Sequence, residues 1–465
     1  FGTMEDFDRL LKEIHKREMR LVLDLVVNHT SDEHPWFEEA RKSRHNPYYN
    51  YYHWWPAEKG EPPLRLSYFD EEGNAWMYNK PTDSYYLHYF SRKQPDLNWE
   101  NPEIRQEIFD MMRFWFDKGI DGFRMDSISL IAKDPSFPLI DSKQYPDIFS
   151  FYAKEPRLHL YLHEMNRQVL SKYDCMSVGE GSAVMVDDVA KFVDPAREEL
   201  NMLYHFDAAR IRNTTLPDNP ESGIDYSLIA LKKMFTEWDK AIDKGWPSIY
   251  LGNHDQPRMV SRFGSDKDEF RALSAKMLIT FLLTMRGTPY WFAGDEIGMR
   301  NIRFDRIEDY NDIDTINRYK KAKAEGKDPQ AVLDEQKETG RDNARTPFQW
   351  DRSPEAGFTA GTPWLKVNPD YTWINVADEE KDPTSILNYF KKVVSFRKEN
   401  PSLIYGSYHL LDAENPQCYI FLRKTGADTY LIMLNFSPKA AISTPGIDMS
   451  NAHVLLDNYG DRSHM

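Results

Sequence analysis

The chain repeats a succession of an amphipathic helix and an apolar run, and this repeat limits the folds that it can adopt. The first helix is predicted around residues 3–14 and leads into the nearly continuous apolar run Leu21–Val27. Runs of this kind are typical of parallel strands that are buried on both faces. A second unit follows, because Asn101-Pro102 predicts a helix start and Ile120–Met125 resembles a strand. This alternation predicts an α/β chain with a parallel sheet.

Later segments continue the alternation as far as the last quarter of the chain. Further strands are predicted at 175–178, 203–206, 248–251 and 289–292, with helices at 228–242 and 270–285. A (β/α) barrel and an open doubly wound sheet both fit this order, and periodicity alone does not choose between them. No GxGxxG or GxxxxGK[ST] loop follows a strand, which weakens the nucleotide-binding version of the open sheet.

Two long segments interrupt the alternation, and the end of the chain departs from it. Residues 31–93 are polar and aromatic, which predicts an inserted subdomain whose own core includes the aromatic run 48–55. Residues 300–351 form a charged excursion with a helical middle, and short strands from about residue 408 predict a small antiparallel β domain. The predicted domains are a main α/β domain (1–30 and 94–400), the inserted subdomain (31–93) and a C-terminal β domain (401–465).

Composition excludes several classes of protein. The 465 residues suggest about three domains, and the net charge of −15 argues against a nucleic-acid or anionic-membrane partner. The two cysteines, Cys175 and Cys418, make neither a disulfide framework nor a zinc motif. The longest apolar run, Met277–Leu283, is far shorter than the ~20 residues that span a bilayer. The sequence does not open with the pattern of a signal peptide, and a cleaved one would leave no trace. We expect a cytoplasmic location and leave a periplasmic or secreted location open.

Polar residues collect where the apolar runs end, and a barrel would bring all of these ends to one face. Taken singly, an aspartate at a strand end is more often a helix cap, and an internal histidine is more often a core residue. Several such groups at successive strand ends are harder to explain as caps and core residues. The groups are Asn28 and His29, Arg124 and Asp126, Glu180, and Asn253, His254 and Asp255.

This set of residue types matches the needs of retaining glycoside hydrolysis. That reaction uses one carboxylate as a nucleophile at the anomeric carbon and one carboxylic acid to protonate the departing oxygen. The acid keeps its proton near neutral pH only if burial or a nearby negative charge raises its pKa. Arg124 lies two residues before Asp126 and therefore points the same way along the strand, where it can keep a nucleophilic Asp126 ionised.

Beyond these single residues, the chain resembles the α-amylase superfamily, glycoside hydrolase family 13, over nearly its whole length. Within that family it is most similar to the oligo-1,6-glucosidase and α-glucosidase subgroup. The segments that carry the resemblance are DLVVNHTS at 24–31, QPDLN at 94–98, GFRMD at 122–126, VGE at 178–180, NHDQPR at 253–258, GTPY at 287–290 and RDNARTPFQW at 341–350.

The resemblance implies a role for each matching residue. It implies that Asp126 is the nucleophile, Glu180 the general acid/base and Asp255 the carboxylate that binds and distorts the reacting glucose. It implies a closed pocket that takes one terminal glucose and releases it with retained α configuration. The implied substrate-binding residues are His29, Phe90, Gln94, Arg124, Ser127, His254 and Arg341.

The sequence departs from the family pattern at its beginning. The family barrel opens with two strands that we do not find, and the chain begins at the helix that normally follows the second strand. We therefore expect residues before Phe1 in the complete molecule. The resemblance implies no required cofactor; some members bind calcium through an acidic loop, and that loop belongs to the part we do not find.

A second departure concerns the linkage that the enzyme would cleave. Ser127 follows the predicted nucleophile where α-1,6-specific members usually have valine, which favours α-1,4 or mixed specificity. Gly181-Ser182 follows the predicted acid where bulkier residues are common, and this difference predicts a wider site for the sugar beyond the cleaved bond.

The favoured hypothesis is a retaining exo-α-glucosidase that takes a small oligosaccharide or disaccharide as its partner. A transglucosidase or sucrose isomerase would use the same intermediate, although the stretch Phe206–Asn213 does not clearly match the arginine-rich loop of the isomerases. A non-catalytic binding protein of the same fold, or an inactive fragment, is the remaining alternative. The sequence leaves the oligomeric state open.

Overall fold

A computed structural model describes residues 2–69, 73–141, 143–145, 148–218, 225–426 and 428–459. The chain divides into two compact units, which are described separately. Unit 1 comprises residues 1–206 and 241–246, and unit 2 comprises residues 207–240 and 247–465. The predicted boundaries of the three domains stay predictions.

Unit 1 contains seven strands and six α-helices among its described residues. The strands are β1 (Val22–Val26), β2 (Trp54–Pro56), β3 (Trp76–Asn79), β4 (Ser84–Leu87), β5 (Gly122–Asp126), β6 (Met176–Glu180) and β7 (Met202–Tyr204). The helices are α1 (Met4–Lys16), α2 (Pro35–Ala40), α3 (Pro102–Lys118), α4 (Ile148–Tyr152), α5 (Arg157–Gln168) and α6 (Ala190–Val193).

The main sheet of unit 1 is parallel, with strand order β1-β5-β6-β7. Its register places Val26 beside Asp126, and Glu180 beside Tyr204. Because parallel strands point the same way, their carboxyl ends lie at one edge of the sheet. This edge therefore carries the polar residues that follow the apolar runs.

Two helices of unit 1, α1 and α3, begin where the sequence predicts. Thr3 and Asp6 form a capping box at the start of α1. Asn101 caps α3 by accepting a hydrogen bond of 2.9 Å from the backbone N–H of Glu103. Gly119 ends this helix with φ +104°, a backbone conformation that glycine adopts without steric cost.

The prediction that the run Leu21–Val27 is buried on both faces is wrong in part. Asp24 is exposed, and 44% of Val26 is exposed. Strand β1 pairs with β5 along one edge, and no other described strand pairs with its second edge. Among the described strands β1 is therefore an end strand, and its side chains are covered less completely than those of a central strand.

Residues 31–93 contain a small sheet and an aromatic cluster of their own. The sheet is antiparallel with order β2-β4-β3. Trp54 stacks on Tyr49 at a ring-centroid distance of 4.8 Å and on Phe37 at 6.0 Å. Tyr52 is also buried against Phe37. The aromatic run is therefore part of the core of this segment, as predicted.

Unit 2 contains five strands and nine α-helices among its described residues. The strands are β8 (Ser248–Ile249), β9 (Thr288–Pro289), β10 (Ser407–Leu411), β11 (Cys418–Thr425) and β12 (Asp428–Asn435). The helices are α7 (Asp207–Thr214), α8 (Leu228–Ala241), α9 (Met259–Phe263), α10 (Asp268–Thr284), α11 (Ile313–Ala324), α12 (Pro329–Thr339), α13 (Val376–Glu379), α14 (Ile386–Glu399) and α15 (Pro401–Tyr405).

The strands of unit 2 form two sheets of different kinds. β8 and β9 are parallel, whereas β10-β11-β12 is an antiparallel meander, as the sequence predicts for the end of the chain. Helices α10 and α14 pack together around Ile279, Leu283 and Val393. The charged excursion predicted at 300–351 contains the helices α11 and α12. Both cysteines are free thiols.

Gly122 provides a test of the packing between β5 and β6. A Cβ atom at this position would lie 2.2 Å from the backbone oxygen of Met176, so the strands would have to separate. We expect Gly122→Ala to cost about 1–3 kcal/mol of stability, in the range of overpacked sites. Gly361→Ala is the matched control, because its Cβ would meet only Thr359 Oγ1 at 3.7 Å. Equal melting temperatures of the two variants would contradict this account.

Candidate active site

Arg124 lies at the centre of a cluster of acidic groups at the edge of the main sheet of unit 1. Its Nη1 atom donates hydrogen bonds of 2.7 Å to Asp24 Oδ1 and to Asp126 Oδ1. Its Nη2 atom donates a hydrogen bond of 2.8 Å to Glu180 Oε2. Tyr204 Oη accepts from Nε at 2.8 Å and from Nη2 at 2.6 Å. One side chain therefore connects residues from all four strands of the sheet.

Strand register explains why these side chains meet. Arg124 pairs with Asp24 in β1, and Asp126 lies two residues later on the same face of β5. Glu180 and Tyr204 are paired across β6 and β7 at the same edge. The fork of N–H donors on a guanidinium can serve several carboxylates at once, which a lysine ammonium does with less directional precision.

Glu180 is suited to hold a proton near neutral pH. The residue is only 6% exposed, and this burial raises the pKa of Glu180 well above its ordinary value. The negative charge of Asp126 and a hydrogen bond between the two carboxyl groups raise this pKa further. Arg124 and a backbone N–H act in the opposite direction. The environment of Glu180 therefore favours the protonated acid beside Asp126.

Ser127 contributes its backbone to the site. Its φ of +43° lies in the left-handed region, which non-glycine residues adopt at a cost. In this conformation the backbone N–H of Ser127 donates a hydrogen bond of 2.8 Å to Glu180 Oε2. The side chain of Ser127 is buried at 3% exposure. The chain thus turns sharply after Asp126 and directs a donor at the neighbouring carboxyl group.

His29, Phe90 and Gln94 lie together where β1 meets the segment that follows the inserted sheet. The nitrogen atoms His29 Nε2 and Gln94 Nε2 are 3.0 Å apart, and the rings of His29 and Phe90 are 5.2 Å apart. Burial lowers the pKa of His29; Asp126 opposes this shift and Lys133 adds to it. His29 is therefore neutral, and its charge state is sensitive to Asp126.

A second polar cluster lies in unit 2 around Asp255. Asp255 Oδ1 accepts hydrogen bonds from Arg345 Nη2 at 2.6 Å and from Arg341 Nη1 at 3.3 Å. His254 Nε2 is 3.3 Å from Asp255 Oδ2. Burial acts to lower the pKa of Arg341, but the charge and hydrogen bond of Asp312 outweigh it and raise that pKa. Two arginines therefore neutralise the charge of Asp255.

The structure gathers the predicted residues into two groups, one in each unit. Sequence reasoning assigned no role to Asp24, Tyr204, Asp312 or Arg345. Two of these carry a signal in the sequence: Asp24 opens the segment DLVVNHTS, and Arg345 lies within RDNARTPFQW. The group of unit 1 is His29, Phe90, Gln94, Arg124, Asp126, Ser127 and Glu180, and the group of unit 2 is His254, Asp255 and Arg341.

Within the described residues, no group of three or more His, Cys, Asp or Glu side chains is arranged to hold a metal ion. No helix in the same part of the chain is long and apolar enough to cross a bilayer.

The acid pair at the ends of parallel strands places the protein in the class of α/β glycoside hydrolases. A family model for the catalytic domain of α-amylase matches residues 1–406. The chain therefore belongs to the α-amylase family, glycoside hydrolase family 13. This membership confirms the predicted barrel fold class and the predicted enzyme class, a glycoside hydrolase of the α-glucosidase type.

Individual relatives place the chain more closely within the family. It is 50% identical to the oligo-1,6-glucosidase of Parageobacillus thermoglucosidasius, over 99% of this chain and 82% of that protein. It is 46% identical to the oligo-1,6-glucosidase of Bacillus cereus, over 99% and 83%. Among solved structures, an isomaltulose synthase variant of Erwinia rhapontici NX5 bound to sucrose matches with a TM-score of 0.88 and 43% identity, covering 94% of this chain and 78% of that one.

Replacing Arg124 tests its place at the centre of the cluster. We expect Arg124→Gln to lower kcat/KM on a nitrophenyl α-glucoside by roughly 100-fold or more, the usual cost of losing one preorganised donor. Because Arg124 lowers the pKa of Glu180, its removal leaves Glu180 protonated to higher pH. The alkaline limb of the residual activity therefore shifts upward. Arg9→Gln, on the exposed face of α1, is the control, and an unchanged pH profile in Arg124→Gln would contradict the assignment.

Proposed function

We propose that the protein is a retaining exo-α-glucosidase that removes terminal non-reducing α-linked glucose from short oligosaccharides. The observation that carries this proposal is the direct pairing of Asp126 and Glu180 on one guanidinium. The names of its relatives, oligo-1,6-glucosidases, support the same class of substrate.

The short separation of the two carboxyl groups favours retention over inversion. Inverting enzymes keep their carboxyl groups roughly 6.5–9.5 Å apart, because a water molecule must fit beside the sugar. Asp126 and Glu180 instead each accept a hydrogen bond from the two neighbouring terminal nitrogens of one guanidinium, that of Arg124. This arrangement is closer to the separation of about 5–5.5 Å that a covalent mechanism uses.

The proposed reaction has two steps. Asp126 attacks the anomeric carbon while Glu180 gives its proton to the departing glycosidic oxygen, which forms a glucosyl ester on Asp126 and frees the rest of the sugar. Glu180, now ionised, takes a proton from water as the water oxygen attacks the same carbon. The ester bond breaks, Asp126 is regenerated, and glucose leaves with its α configuration.

Arg124 and His29 of unit 1 act by binding and orienting the glucose. Arg124 keeps Asp126 in place for attack, and neutral His29 is able to donate a hydrogen bond to a sugar hydroxyl. Family resemblance assigns Asp255, in unit 2, to the distortion of the reacting ring, and hydrogen bonds from Arg345 and Arg341 hold its carboxyl group in place. The mechanism takes its nucleophile and its proton from side chains, so we propose no cofactor.

We further propose that both α-1,6 and α-1,4 linkages are cleaved. The relatives named oligo-1,6-glucosidase favour the first linkage. Ser127, in the position where α-1,6-specific members usually have valine, favours the second. Its side chain is small and follows the nucleophile directly, so a larger residue there would restrict the space beside Asp126.

A sucrose isomerase is the second candidate, and one observation favours it. The solved structures that match include isomaltulose and trehalulose synthases at 42–43% identity. In such an enzyme the glucosyl intermediate would be transferred to fructose instead of water. The stretch Phe206–Asn213 does not clearly match the arginine-rich loop of the isomerases, which favours hydrolysis. Incubation with sucrose separates the two: glucose and fructose indicate hydrolysis, and a new disaccharide indicates isomerisation.

Asp126→Asn tests the proposed nucleophile. We expect kcat on maltose, isomaltose and a nitrophenyl α-glucoside to fall by roughly 10⁴-fold or more, because an amide cannot form the glucosyl ester. The melting temperature should change little, since the asparagine side chain has nearly the same size as the aspartate it replaces. Asp110→Asn, an exposed change on α3, is the matched control. Retained turnover in the first variant would remove Asp126 from the mechanism.

Ser127→Val tests the linkage preference. The added methyl groups should reduce cleavage of maltose more than cleavage of isomaltose, and we expect the ratio of the two kcat/KM values to change by roughly 10-fold, about 1.4 kcal/mol. Ser127→Ala controls for loss of the hydroxyl without added volume. An isomaltose-to-maltose ratio that stays constant in all three proteins would contradict the proposed role of Ser127.

A further inference from the structure

Lys133 is a buried cation that the proposed reaction does not use. The residue is 3% exposed, and its Nζ atom lies 3.1 Å from Asp96 Oδ2 in an ion pair that is buried on both sides. The same Nζ atom donates a hydrogen bond of 2.6 Å to Asn28 Oδ1 and lies 5.0 Å from the ring centre of Tyr89. Burying a lysine is costly, so a cation retained at this place calls for an explanation.

The ammonium group decides which way the amide of Asn28 faces. Lys133 carries only donors, so the Asn28 atom that contacts it is the oxygen, and the NH₂ group faces the other way. That NH₂ group lies 3.2 Å from His29 Nδ1 and 3.4 Å from Asp96 Oδ1. Asn28 is completely buried, so water does not compete for either contact.

His29 has an amide group at each ring nitrogen. Asn28 Nδ2 faces Nδ1, and Gln94 Nε2 faces the other nitrogen, Nε2, at 3.0 Å. A neutral imidazole accepts a hydrogen bond at one nitrogen and donates at the other, so only one of these amides can donate to the ring. The other amide must turn its oxygen toward the ring.

The hydrogen bonds that hold the amide oxygens of Asn28 and Gln94 differ in strength, and this difference decides which amide donates to the ring. The Asn28 oxygen is held by a charged ammonium, and such charge-assisted bonds are roughly twice as strong as neutral ones. The Gln94 oxygen is held by the neutral backbone N–H of Ser91 at 3.1 Å. We therefore expect the Gln94 amide to rotate so that its oxygen accepts a hydrogen bond from His29 Nε2, while Asn28 donates to His29 Nδ1. The ring proton then lies on Nε2.

The charges around the ring also affect whether His29 is neutral or protonated. Asp126 faces His29 and favours imidazolium, whereas burial and Lys133 disfavour it, and the balance holds the pKa of His29 below its ordinary value. The charged and titratable groups around Lys133 are Asp96, Tyr89, the buried ring of His53, and Arg157, whose Nη2 lies 3.4 Å from the Lys133 carbonyl oxygen.

We propose that Lys133 is a positioning residue that, through Asn28, holds His29 as the neutral tautomer with its proton on Nε2. This tautomer presents an N–H donor on the side away from Asn28, where a sugar hydroxyl replaces Gln94 as the acceptor. The role of that donor in binding sugar rests on the proposed function, but the tautomer itself does not. A neutral ring also leaves the negative charge of Asp126 available for attack.

Asn28→Asp is the sharpest test, because it keeps the shape of the side chain while it replaces the NH₂ donor by an oxygen and adds a negative charge. The new carboxylate still pairs with Lys133 and now accepts from Nδ1, so the His29 proton should move from Nε2 to Nδ1. Nitrogen-15 NMR of histidine-labelled protein reports the tautomer directly, with the His29 signals assigned by their loss in His29→Gln. We expect kcat/KM on a nitrophenyl α-glucoside to fall by about 10-fold or more.

The double variant Lys133→Met with Asp96→Asn removes the cation without leaving a buried charge unpaired, and Asp96→Asn alone is its control. We expect a higher His29 pKa in the double variant than in the control. An Nδ1 proton in the wild-type protein, or a tautomer that Asn28→Asp leaves unchanged, would overturn the inference. The expected tautomer shift in a protein that cleaves no glucoside would uphold the inference and reject the proposed function.

Discussion

Arg124 places one guanidinium among three carboxylates that come from three different strands. Acidic groups brought this close repel each other, and partial burial of the cluster strengthens that repulsion. The cation offsets it and fixes the positions of Asp126 and Glu180 at the same time. Removing one partner of a fully buried ion pair typically costs about 3–5 kcal/mol, and the cost is smaller for the pair with Asp24, whose side chain is 56% exposed.

The same cluster separates the tasks of its two central carboxyl groups. Glu180 lies deeper, is nearly excluded from solvent and faces the charge of Asp126, so its proton is retained. Asp126 is the more exposed of the two and takes its hydrogen bond from Arg124. The left-handed backbone at Ser127 directs an N–H at Glu180, which limits how far its pKa rises. Geometry and burial thus give two chemically similar side chains different environments, which fit the proposed roles of Glu180 as the acid and Asp126 as the nucleophile.

Much of this arrangement could be predicted from the sequence, because the relevant signals are local. The Thr3 capping box, the helix start at Asn101 and the apolar strands depend on a few neighbouring residues, and strand ends mark Asp126 and Glu180. The contacts of Asp24 and Tyr204 depend instead on the register between strands, which no single segment encodes. The exposure of Val26 depends on which strand neighbours β1, again a non-local property.

The contact of Lys133 with Asn28 shows the same limit at longer range. These residues are far apart in sequence, and nothing around Lys133 distinguishes it from an ordinary surface lysine. The proposed role of Lys133 can be inferred only from the structure, in which Asn28, His29 and Asp96 surround it. Asp255 shows both sides of this limit. Its motif marks the residue in the sequence, whereas its salt bridge with Arg345 is visible only in the structure.

The stereochemistry of the first product tests most directly whether Asp126 and Glu180 work as a closely spaced covalent pair. Proton NMR during early turnover of isomaltose or a nitrophenyl α-glucoside distinguishes the two anomers of glucose before they interconvert. The account predicts that α-glucose appears first and β-glucose accumulates only by mutarotation. Initial release of β-glucose would mean that water attacks the sugar directly, and it would contradict the account.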